Sequence, residues 1–451
     1  MRARNARLAL ATVLAEGFLG RLTFGMVSFA MPLYAHKIGL PLSLIGILVS
    51  IRTLCVLPLK PVAGWLADRI GVRRVYLFGI FTRTLSAAML LFAGGFAGLM
   101  AMRLLQGASA AGRDVASLGV IARDAASRVG TAYGSYASAK HVGGVAGAGL
   151  AGLIIAASGG AYQPLFVVVL CMSLLPMAAA WFGLREEPGS GSAGEPEPEP
   201  VESSTANDEG KTGWIVETTA TLRELVGPAS VGMMVATSAY MVHGLFPILA
   251  TQYAGLSEAE AGLIYSFSAA FFLVGGPLFG WLIDRYGRIF GIAWRSAANI
   301  GSSLLYVAFP NFIGLAAARS FDDSGKGAFR PAWASTIASL ASKDPQKSGR
   351  RLGVLDTSQS VGEAIGPALA TILWQSGGVF ALFGVRIVIA VVAEILALRL
   401  FGELGNSASG SEPGSPVNHG TPREQPAGRR FRVRHRADIQ YCRSRPSGRV
   451  P

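Results

Sequence analysis

Apolar stretches of about 20 residues recur along this chain from Leu8 to Phe401, and each is long enough to cross the hydrocarbon core of a bilayer as an α-helix. Composition supports the same interpretation, because 51% of the residues are hydrophobic and only 15% are charged. Soluble domains carry about 25% charged residues. The sequence therefore predicts an all-α polytopic membrane protein and argues against a soluble globular fold.

The apolar stretches predict twelve transmembrane helices in two sets of six. The first set lies near residues 8–33, 42–66, 75–95, 97–120, 134–157 and 164–184, and the second near 225–252, 259–283, 289–309, 312–339, 352–375 and 379–401. Fourteen Lys and Arg residues flank the spans on one side, and only Lys37 does so on the other. By the positive-inside rule, we expect a plasma-membrane protein with both termini in the cytoplasm.

Composition shifts divide the chain into four predicted regions. Residues 1–184 form an N-terminal six-helix bundle and residues 225–402 a C-terminal one. Between them, residues 185–224 form a cytoplasmic linker, disordered where Pro, Glu, Ser and Gly dominate and ending in a short interfacial helix from Trp214 to Leu225. Residues 403–451 form a basic tail, which we expect to be disordered and cytoplasmic.

Several classes of function are disfavoured by the residues present. The net charge of +13 comes largely from Arg and Lys at the ends of apolar spans, so we do not expect nucleic-acid binding. Three cysteines allow neither a disulfide framework nor a zinc spacing, and we expect no metal site. The sequence holds no P-loop, nucleophile elbow or dinucleotide fingerprint, so we predict no enzyme activity, no cofactor and an ion gradient as the energy source.

The two halves of the chain resemble each other. The segment Gly64–Gly71 (GWLADRIG) recurs as Gly280–Gly287 (GWLIDRYG) at an offset of 216 residues, which also relates Gly46 to Gly262 and Arg103 to Arg319. At an offset of 219, Gly143 and Gly147 pair with Gly362 and Gly366. Two six-helix halves of the same topology are one way to build an alternating-access carrier with its substrate site between them.

These motifs resemble those of the major facilitator superfamily of secondary transporters. The resemblance rests on the loop Gly64–Arg74, on its second copy and on Arg103–Gly107 (RLLQG), and it covers roughly residues 8–402. It implies the major facilitator fold. A proline that marks antiporters of this family in the fifth helix is replaced here by Ala148, whereas the eleventh helix carries Gly366-Pro367. That departure weakens the interpretation as a drug antiporter.

The resemblance also implies roles for the repeated loop and for helix-packing residues. Pairing of Asp68 with its surroundings latches the cytoplasmic side while a carrier faces outward. The expected conformational gate comprises Gly64, Asp68, Arg69, Gly71, Arg73, Gly280, Asp284, Arg285 and Gly287. The expected packing positions are Gly143, Gly147, Gly362, Gly366 and Pro367.

Charged residues within spans are costly to bury in lipid, so each is a candidate for proton or substrate binding. In the first half these candidates are Glu16, Arg21, Arg52, Arg103, Gln106 and Lys140, with Glu16 the best isolated titrating group. In the second half they are Arg319, Asp322, Asp323, Lys326, Asp356 and Glu363. Residues 319–330 form a charge ladder on one helical face, which is either structural or linked to the transport cycle. By the resemblance, Arg83, Arg295, Arg386 and Glu394 lie on helices that face lipid or pack peripherally, so we expect structural roles for them.

Three functions remain open. We expect a secondary carrier, a monomer in the lipid bilayer, that couples proton entry to efflux of a small organic substrate, as drug and metabolite antiporters do. The excess of Arg and Lys within spans favours an alternative, proton-coupled uptake of an anionic metabolite. A non-transporting membrane sensor or scaffold that binds a partner through its tail is the third.

Overall fold

The first half of the chain folds into six consecutive helices. The structure, a computed structural model, describes residues 2–124, 129–183, 208–341 and 348–409. The helices are α1 (Arg2–Lys37), α2 (Leu42–Ile70), α3 (Val72–Leu90), α4 (Phe96–Asp124), α5 (Val129–Ala157) and α6 (Gln163–Gly183). Each is long enough to cross a bilayer, at 19 to 36 residues. Connections as short as the single residue Gly71 make successive helices antiparallel.

The second half contains another six spans in five long helices. These are α7 (Asp208–His243), α9 (Glu258–Tyr286), α10 (Arg288–Ala308), α11 (Phe312–Ala341) and α12 (Ser348–Ser409), with the short α8 (Phe246–Ile248) and a π-helical turn (Leu249–Tyr253) after α7. Gly378 interrupts α12 with a φ of 71°, so this helix has a first arm, residues 348–377, and a second arm, residues 379–409. Twelve spans in two sets of six match the prediction.

The repeated loop motif ends a helix in the same way in both halves. Gly71 and Gly287 have φ values of 92° and 83°, a region that residues with a Cβ atom rarely adopt. Each glycine N–H donates to the carbonyl four residues earlier, of Ala67 or Ile283, and the next helix begins at once. The glycines therefore permit the one-residue connections that place α3 beside α2 and α10 beside α9.

Two pairs of glycines bring helices into close contact within each half. A Cβ atom on Gly143 or Gly147 of α5 would collide with the carbonyls of Phe18 or Leu22 on α1. In the second half, a Cβ atom on Gly366 would lie 2.6 Å from the carbonyl oxygen of Thr237 on α7. A Cβ atom on Gly362 would likewise collide with the Met233 carbonyl. The two related helix pairs thus approach at backbone distance.

Contacts between the halves concentrate at one end of the molecule. There α2 meets the first arm of α12, where the Ala368 N–H donates to Ser50 Oγ at 3.2 Å. Beside this pair, α5 meets α9, and a Cβ atom on Gly262 would lie 3.1 Å from the Gly152 Cα atom. We call these two contacts, α2 with α12 and α5 with α9, the outer seam. The other end, which carries the motif loops at Gly71 and Gly287, we call the basic side.

On the basic side the halves stand apart around the repeated motif. A Cβ atom built on any of the four motif glycines would meet no other atom within 4 Å, and the same holds for Gly353 on the first arm of α12. The motif glycines are Gly64, Gly71, Gly280 and Gly287. The Asp68 side chain is exposed, and it has no hydrogen bond or ion pair with any described residue. The central space between the halves is therefore closed at the outer seam and open toward the basic side.

The helix surfaces are suited to lipid. Large apolar side chains are exposed around the bundle, including Phe78, Trp181 and Phe380. Six stretches of the described residues are apolar enough to cross a membrane by length and composition alone, and the last of them includes both arms of α12. Helices α4 and α11 carry several charges in their interiors, and these charges face other helices or the central space.

Three predicted boundaries differ from the structure. The interfacial helix expected near Trp214 is not separate, since α7 is continuous from Asp208 to His243. The seventh span ends at His243 rather than at residue 252, because Pro247 lacks the N–H that a continuing helix needs. Most of the predicted linker and the tail beyond Ser409 lie outside the described residues, whereas residues 403–409 still belong to α12.

Candidate functional site

A cavity of about 690 Å³ lies between the two halves, beneath the outer seam. Helices α1, α2, α4 and α5 line it from the first half, and α7, α9, α10, α11 and the first arm of α12 from the second. Its charged lining comprises nine Lys and Arg residues and three acids. The bases are Arg21, Arg52, Lys60, Arg103, Lys140, Arg295, Arg319, Lys326 and Arg330, and the acids are Asp114, Asp323 and Glu363.

On the first-half wall, two arginines lie over the Phe24 ring, and a third, Arg103, lines the same cavity. The guanidinium carbon of Arg52 lies 4.2 Å from the centre of the Phe24 ring, and that of Arg21 lies 5.2 Å from it. Arg103 Nη1 donates to Gln106 Oε1 at 2.9 Å. Cation–π contact offsets part of the cost of bringing two guanidinium groups together. Phe24 was not among the predicted site residues, although its position three residues after Arg21 places both on one helical face.

Lys140 and Asp114 form an ion pair at the same wall. Lys140 Nζ donates to Asp114 Oδ1 at 2.8 Å, which joins α5 to α4. Lys140 also lies 4.9 Å from the centre of the Tyr136 ring. Asp114 therefore faces the cavity and neutralises Lys140 there.

The second-half wall carries a ladder of charges along α11. Arg319 Nε lies 3.3 Å from Asp323 Oδ2, and Lys326 Nζ contacts both Asp323 Oδ1 at 2.7 Å and Asp322 Oδ2 at 2.8 Å. Arg319, Asp323 and Lys326 line the cavity, whereas Asp322 points away from it. The sequence predicted this ladder, but not that its two acids face different environments.

Asp322 is the centre of a buried network that sequence reasoning missed. Its Oδ1 atom accepts from Arg386 Nη2 at 2.6 Å and from Arg295 Nη1 at 3.0 Å. The side chains of all three residues are at most 2% exposed. The structural role expected for Arg295 and Arg386 agrees with this network, although both side chains turn inward to a carboxylate rather than toward lipid. Glu394, on the second arm of α12, accepts from Ser296 Oγ at 2.6 Å.

Glu16 is the centre of a second buried network, in the first half. Its Oε1 atom accepts from Arg83 at 2.6 Å and from Arg113 at 2.9 Å, and its Oε2 atom accepts from the Tyr76 hydroxyl at 2.8 Å. Glu16 is fully buried and does not line the cavity. It is thus a paired group rather than a lone titrating one, and Arg83 has the structural role expected of it, because the two hold α1 and α3 together.

A histidine and a tyrosine that the prediction did not select stand next to Arg319. Arg319 Nη2 lies 3.0 Å from His243 Nδ1, and the Tyr265 hydroxyl lies 3.2 Å from His243 Nε2. Because arginine can only donate, Nδ1 accepts, and we assign the ring proton to Nε2. The Arg319 guanidinium also lies over the rings of Tyr265 and Phe246, at 4.6 and 5.0 Å. The position of His243 at the end of α7 gave no signal of this contact.

The two predicted acids of α12 differ in position. Glu363 lines the cavity and interacts with the Tyr240 hydroxyl of α7. Asp356 lies nearer the basic side, and its side chain is 74% exposed, 4.0 Å from Lys60 of α2. Asp356 thus joins the two halves weakly across the open end rather than lining the site.

The predicted gate residues lie at the basic side, away from the cavity. Arg69 lies 4.3 Å from the centre of the Trp65 ring, and its repeat counterpart Arg285 lies 5.6 Å from that of Trp281. The side chains of Asp284 and Arg288 are outside the described residues. Among the residues that the structure does describe, no group of three or more His, Cys, Asp or Glu side chains could hold a metal ion.

Comparison with known proteins agrees with this architecture. The family profile described as "Major Facilitator Superfamily" matches residues 15–229 and again residues 228–446. The chain belongs to the major facilitator superfamily. It is therefore a multi-pass membrane protein of a transporter family, and the predicted resemblance is confirmed.

Individual relatives in the superfamily match over a short stretch. The chain is 34% identical over 107 residues to the MFS-type transporter YwoD of Bacillus subtilis, which is 24% of this chain and 24% of that protein. It is also 34% identical over 108 residues to a Salmonella paratyphi B protein named for multidrug resistance, MdtD, covering 24% of this chain and 23% of that protein. The matches thus span about a quarter of the length of these relatives.

Solved major facilitator structures share the fold over most of the chain. The nucleoside transporter NupG superposes with a TM-score of 0.67 at 12% identity, covering 87% of this chain and 99% of that one. A bacterial homologue of the human lysosomal transporter Spinster gives a TM-score of 0.67 at 15% identity, covering 87% and 96%. At such identities the likeness concerns the fold.

Proposed function

We propose that this protein is a secondary carrier of a small organic anion that works by alternating access. The charge of the cavity carries this proposal, because nine Lys and Arg residues and three acids line it. In a cleft with low-dielectric walls, such an excess attracts anions and repels cations. The volume of about 690 Å³ suits a metabolite-sized solute. One chain supplies the whole cavity, so a monomer suffices.

The open end of the cavity faces the cytoplasm in this proposal. The loops of the basic side carry most of the flanking Arg and Lys residues, and such loops stay in the cytoplasm. The conformation described above is then inward-open, in a plasma membrane, with both termini inside. Closing the gap around Asp68 and opening the outer seam would give the outward-open state.

The carboxylates that face the cavity would couple substrate transport to proton binding. Asp323 contacts Arg319 and Lys326, and a substrate anion would compete with it for both cations. Protonation of Asp323 would release Arg319 and leave Lys326 paired with Asp322 alone, so proton binding and anion binding would favour each other. Energy would come from the proton gradient, without a bound cofactor.

Proton-coupled efflux of a cationic or lipophilic compound is the second candidate. The local similarity to MdtD favours it, as does Glu363, a carboxylate that faces the cavity beside Tyr240. This candidate is weaker than the anion carrier, because only three acids line the cavity against nine bases.

The test is solute-driven proton flux in proteoliposomes that contain the purified full-length protein. Internal pH is recorded while succinate, citrate and butyrate, and then tetraphenylphosphonium and ethidium, are added in turn, with protein-free liposomes as control. We expect organic anions to drive proton flux and the cations to drive none. Flux with the cations alone would support the efflux candidate instead. If neither the organic anions nor the cations drive proton flux through folded protein, that result would contradict proton-coupled transport of either kind.

A further inference from the structure

Three arginines of the cavity differ from the other buried arginines of the molecule. Arg21, Arg52 and Arg103 lie on α1, α2 and α4 and line the cavity. Among the described residues, no carboxylate oxygen lies within 4.0 Å of their nitrogen atoms. By contrast, each of the following has a carboxylate at 2.6 to 3.3 Å: Arg83, Arg113, Arg295, Arg319 and Arg386.

Two of these three arginines have buried donors without acceptors, a feature that they share with the carboxylate-paired Arg83, Arg295 and Arg319. Arg103 is only 3% exposed, and its Nε atom has no hydrogen-bond partner. Arg52 Nε is likewise buried and unpaired. A buried charged donor without a partner is unfavourable, so both groups favour an incoming acceptor with negative charge. The nearest acid on this wall, Asp114, is already bound by Lys140.

We infer that Arg21, Arg52 and Arg103 bind the head of a doubly charged anion, either a dicarboxylate or a phosphate monoester. This inference rests on the proposed function. A single negative charge would leave two of the three guanidinium groups uncompensated, whereas a dianion leaves one. The planar guanidinium fork also matches the paired oxygens of carboxylate and phosphate groups.

Phe24 is a positioning residue in this site. Its ring lies between the guanidinium groups of Arg21 and Arg52, at 5.2 and 4.2 Å, and it fixes their planes without neutralising them. A carboxylate in its place would compete with the substrate. The aromatic ring keeps both arginines in place and leaves their charge for the anion.

Binding to the purified full-length protein tests the inference. Thermal stabilisation is titrated with succinate, glycerol 3-phosphate and butyrate, on the unchanged protein and on Arg21→Gln, Arg52→Gln and Arg103→Gln. We expect at least one dianion to bind about tenfold or more tightly than butyrate, and each substitution to reduce that ratio about tenfold. The matched control is Arg399→Gln, an exposed position outside the cavity, which should preserve the ratio.

The outcomes separate the inference from the function on which it rests. Binding of succinate alone identifies a dicarboxylate site, and binding of glycerol 3-phosphate alone identifies a phosphate site. Butyrate binding as tightly as both dianions, with no effect of the substitutions, would overturn the inference and leave an anion carrier. Failure of every anion to bind or drive flux, with flux from cations, would overturn both.

Phe24 supplies a test that does not remove charge. We expect Phe24→Leu to weaken dianion binding several-fold, measured as stabilisation above the melting temperature of that variant without ligand, and Phe24→Tyr to restore binding. If Arg103→Gln fails to fold, Arg21 and Arg52, which are only partly buried, still provide the charge test. Equal dianion affinity in Phe24→Leu and the unchanged protein would refute the role of the ring.

Discussion

Single buried carboxylates hold each half of this protein together. Glu16 binds Arg83, Arg113 and Tyr76, and Asp322 binds Arg295, Arg386 and Lys326. Breaking a buried ion pair by removing one partner costs about 3–5 kcal/mol, since a charge is left buried without compensation. These two acids therefore stabilise the bundles, while Asp323 and Glu363 face the cavity.

Glu16→Gln should destabilise the protein rather than uncouple it. The amide keeps the size of the side chain but leaves Arg83 and Arg113 without their shared counter-charge, so we expect a loss of about 3 kcal/mol or more. Thermal unfolding in detergent measures this loss, and Asp356→Asn, at a side chain that is 74% exposed, should be much milder. A Glu16→Gln protein of normal stability that transports substrate without protons would instead show that Glu16 carries the proton.

Sequence reasoning found most charged residues of the site but not their partners. The cost of charge in lipid identified Arg21, Arg52, Arg103 and Arg319 as candidates, and all four line the cavity. The same reasoning placed Glu16 there, wrongly, because the rotation of α1 that turns it toward α3 depends on packing. His243 and Phe24 were missed, since neither carries a formal charge that burial would penalise.

Helices of this protein pack together mainly by close approach at glycine residues. Gly46 and Gly262, which the repeat relates, both lie in the outer seam, against Thr371 and Gly152. Gly147 and Gly366 occupy related contacts within the halves. The internal repeat thus predicted equivalent positions correctly, because the halves share a topology. The repeat could not predict where α7 ends, because that end depends on the local break at Gly244 and Pro247.

Gly152→Leu should open the outer seam. A Cβ atom at this position would lie 3.1 Å from the Gly262 Cα atom, and the rest of a leucine has no room. Overpacking of this kind costs about 1–3 kcal/mol, comparable with the difference between two conformations of a carrier. We expect a membrane-impermeant thiol reagent to label Ser50→Cys in the seam several-fold faster, in a background without the native cysteines.

The control for the seam is Gly384→Leu. Gly384 lies on the second arm of α12, and a Cβ atom there would meet nothing within 4 Å. Its labelling rate should match that of the unchanged protein. Equal rates for Gly152→Leu and Gly384→Leu would mean that the seam does not control access.

At the scale of the whole molecule, the two ends close by different means. The outer seam relies on backbone contact and neutral hydrogen bonds, such as that from Ser43 N–H to Gln375 Oε1 at 3.2 Å. The basic side offers charged groups, among them Asp68 and the pair of Lys60 and Asp356. In the proposed transport cycle, packing would govern opening at one end and electrostatics would govern closing at the other.

Asp68→Asn should slow turnover without changing stability or anion affinity in this conformation. Asp68 is exposed here and has no partner among the described residues, so its charge contributes only when the basic side closes. Loss of a charge-assisted hydrogen bond in that state would lower the transport rate about tenfold. Parallel assays of flux and of thermal stabilisation by substrate check this. A fall in affinity equal to the fall in flux would contradict the latch.

The unequal pairing of cations in the two halves has a consequence for the transport cycle. Arg319 and Lys326 of the second half are held by Asp323, whereas Arg21, Arg52 and Arg103 of the first half have no such competitor. An anion bound to those three arginines keeps its contacts with α1, α2 and α4 as the protein changes state. The solute would then cross the membrane as part of the first rigid body, and only its contacts with the second would be exchanged along the way.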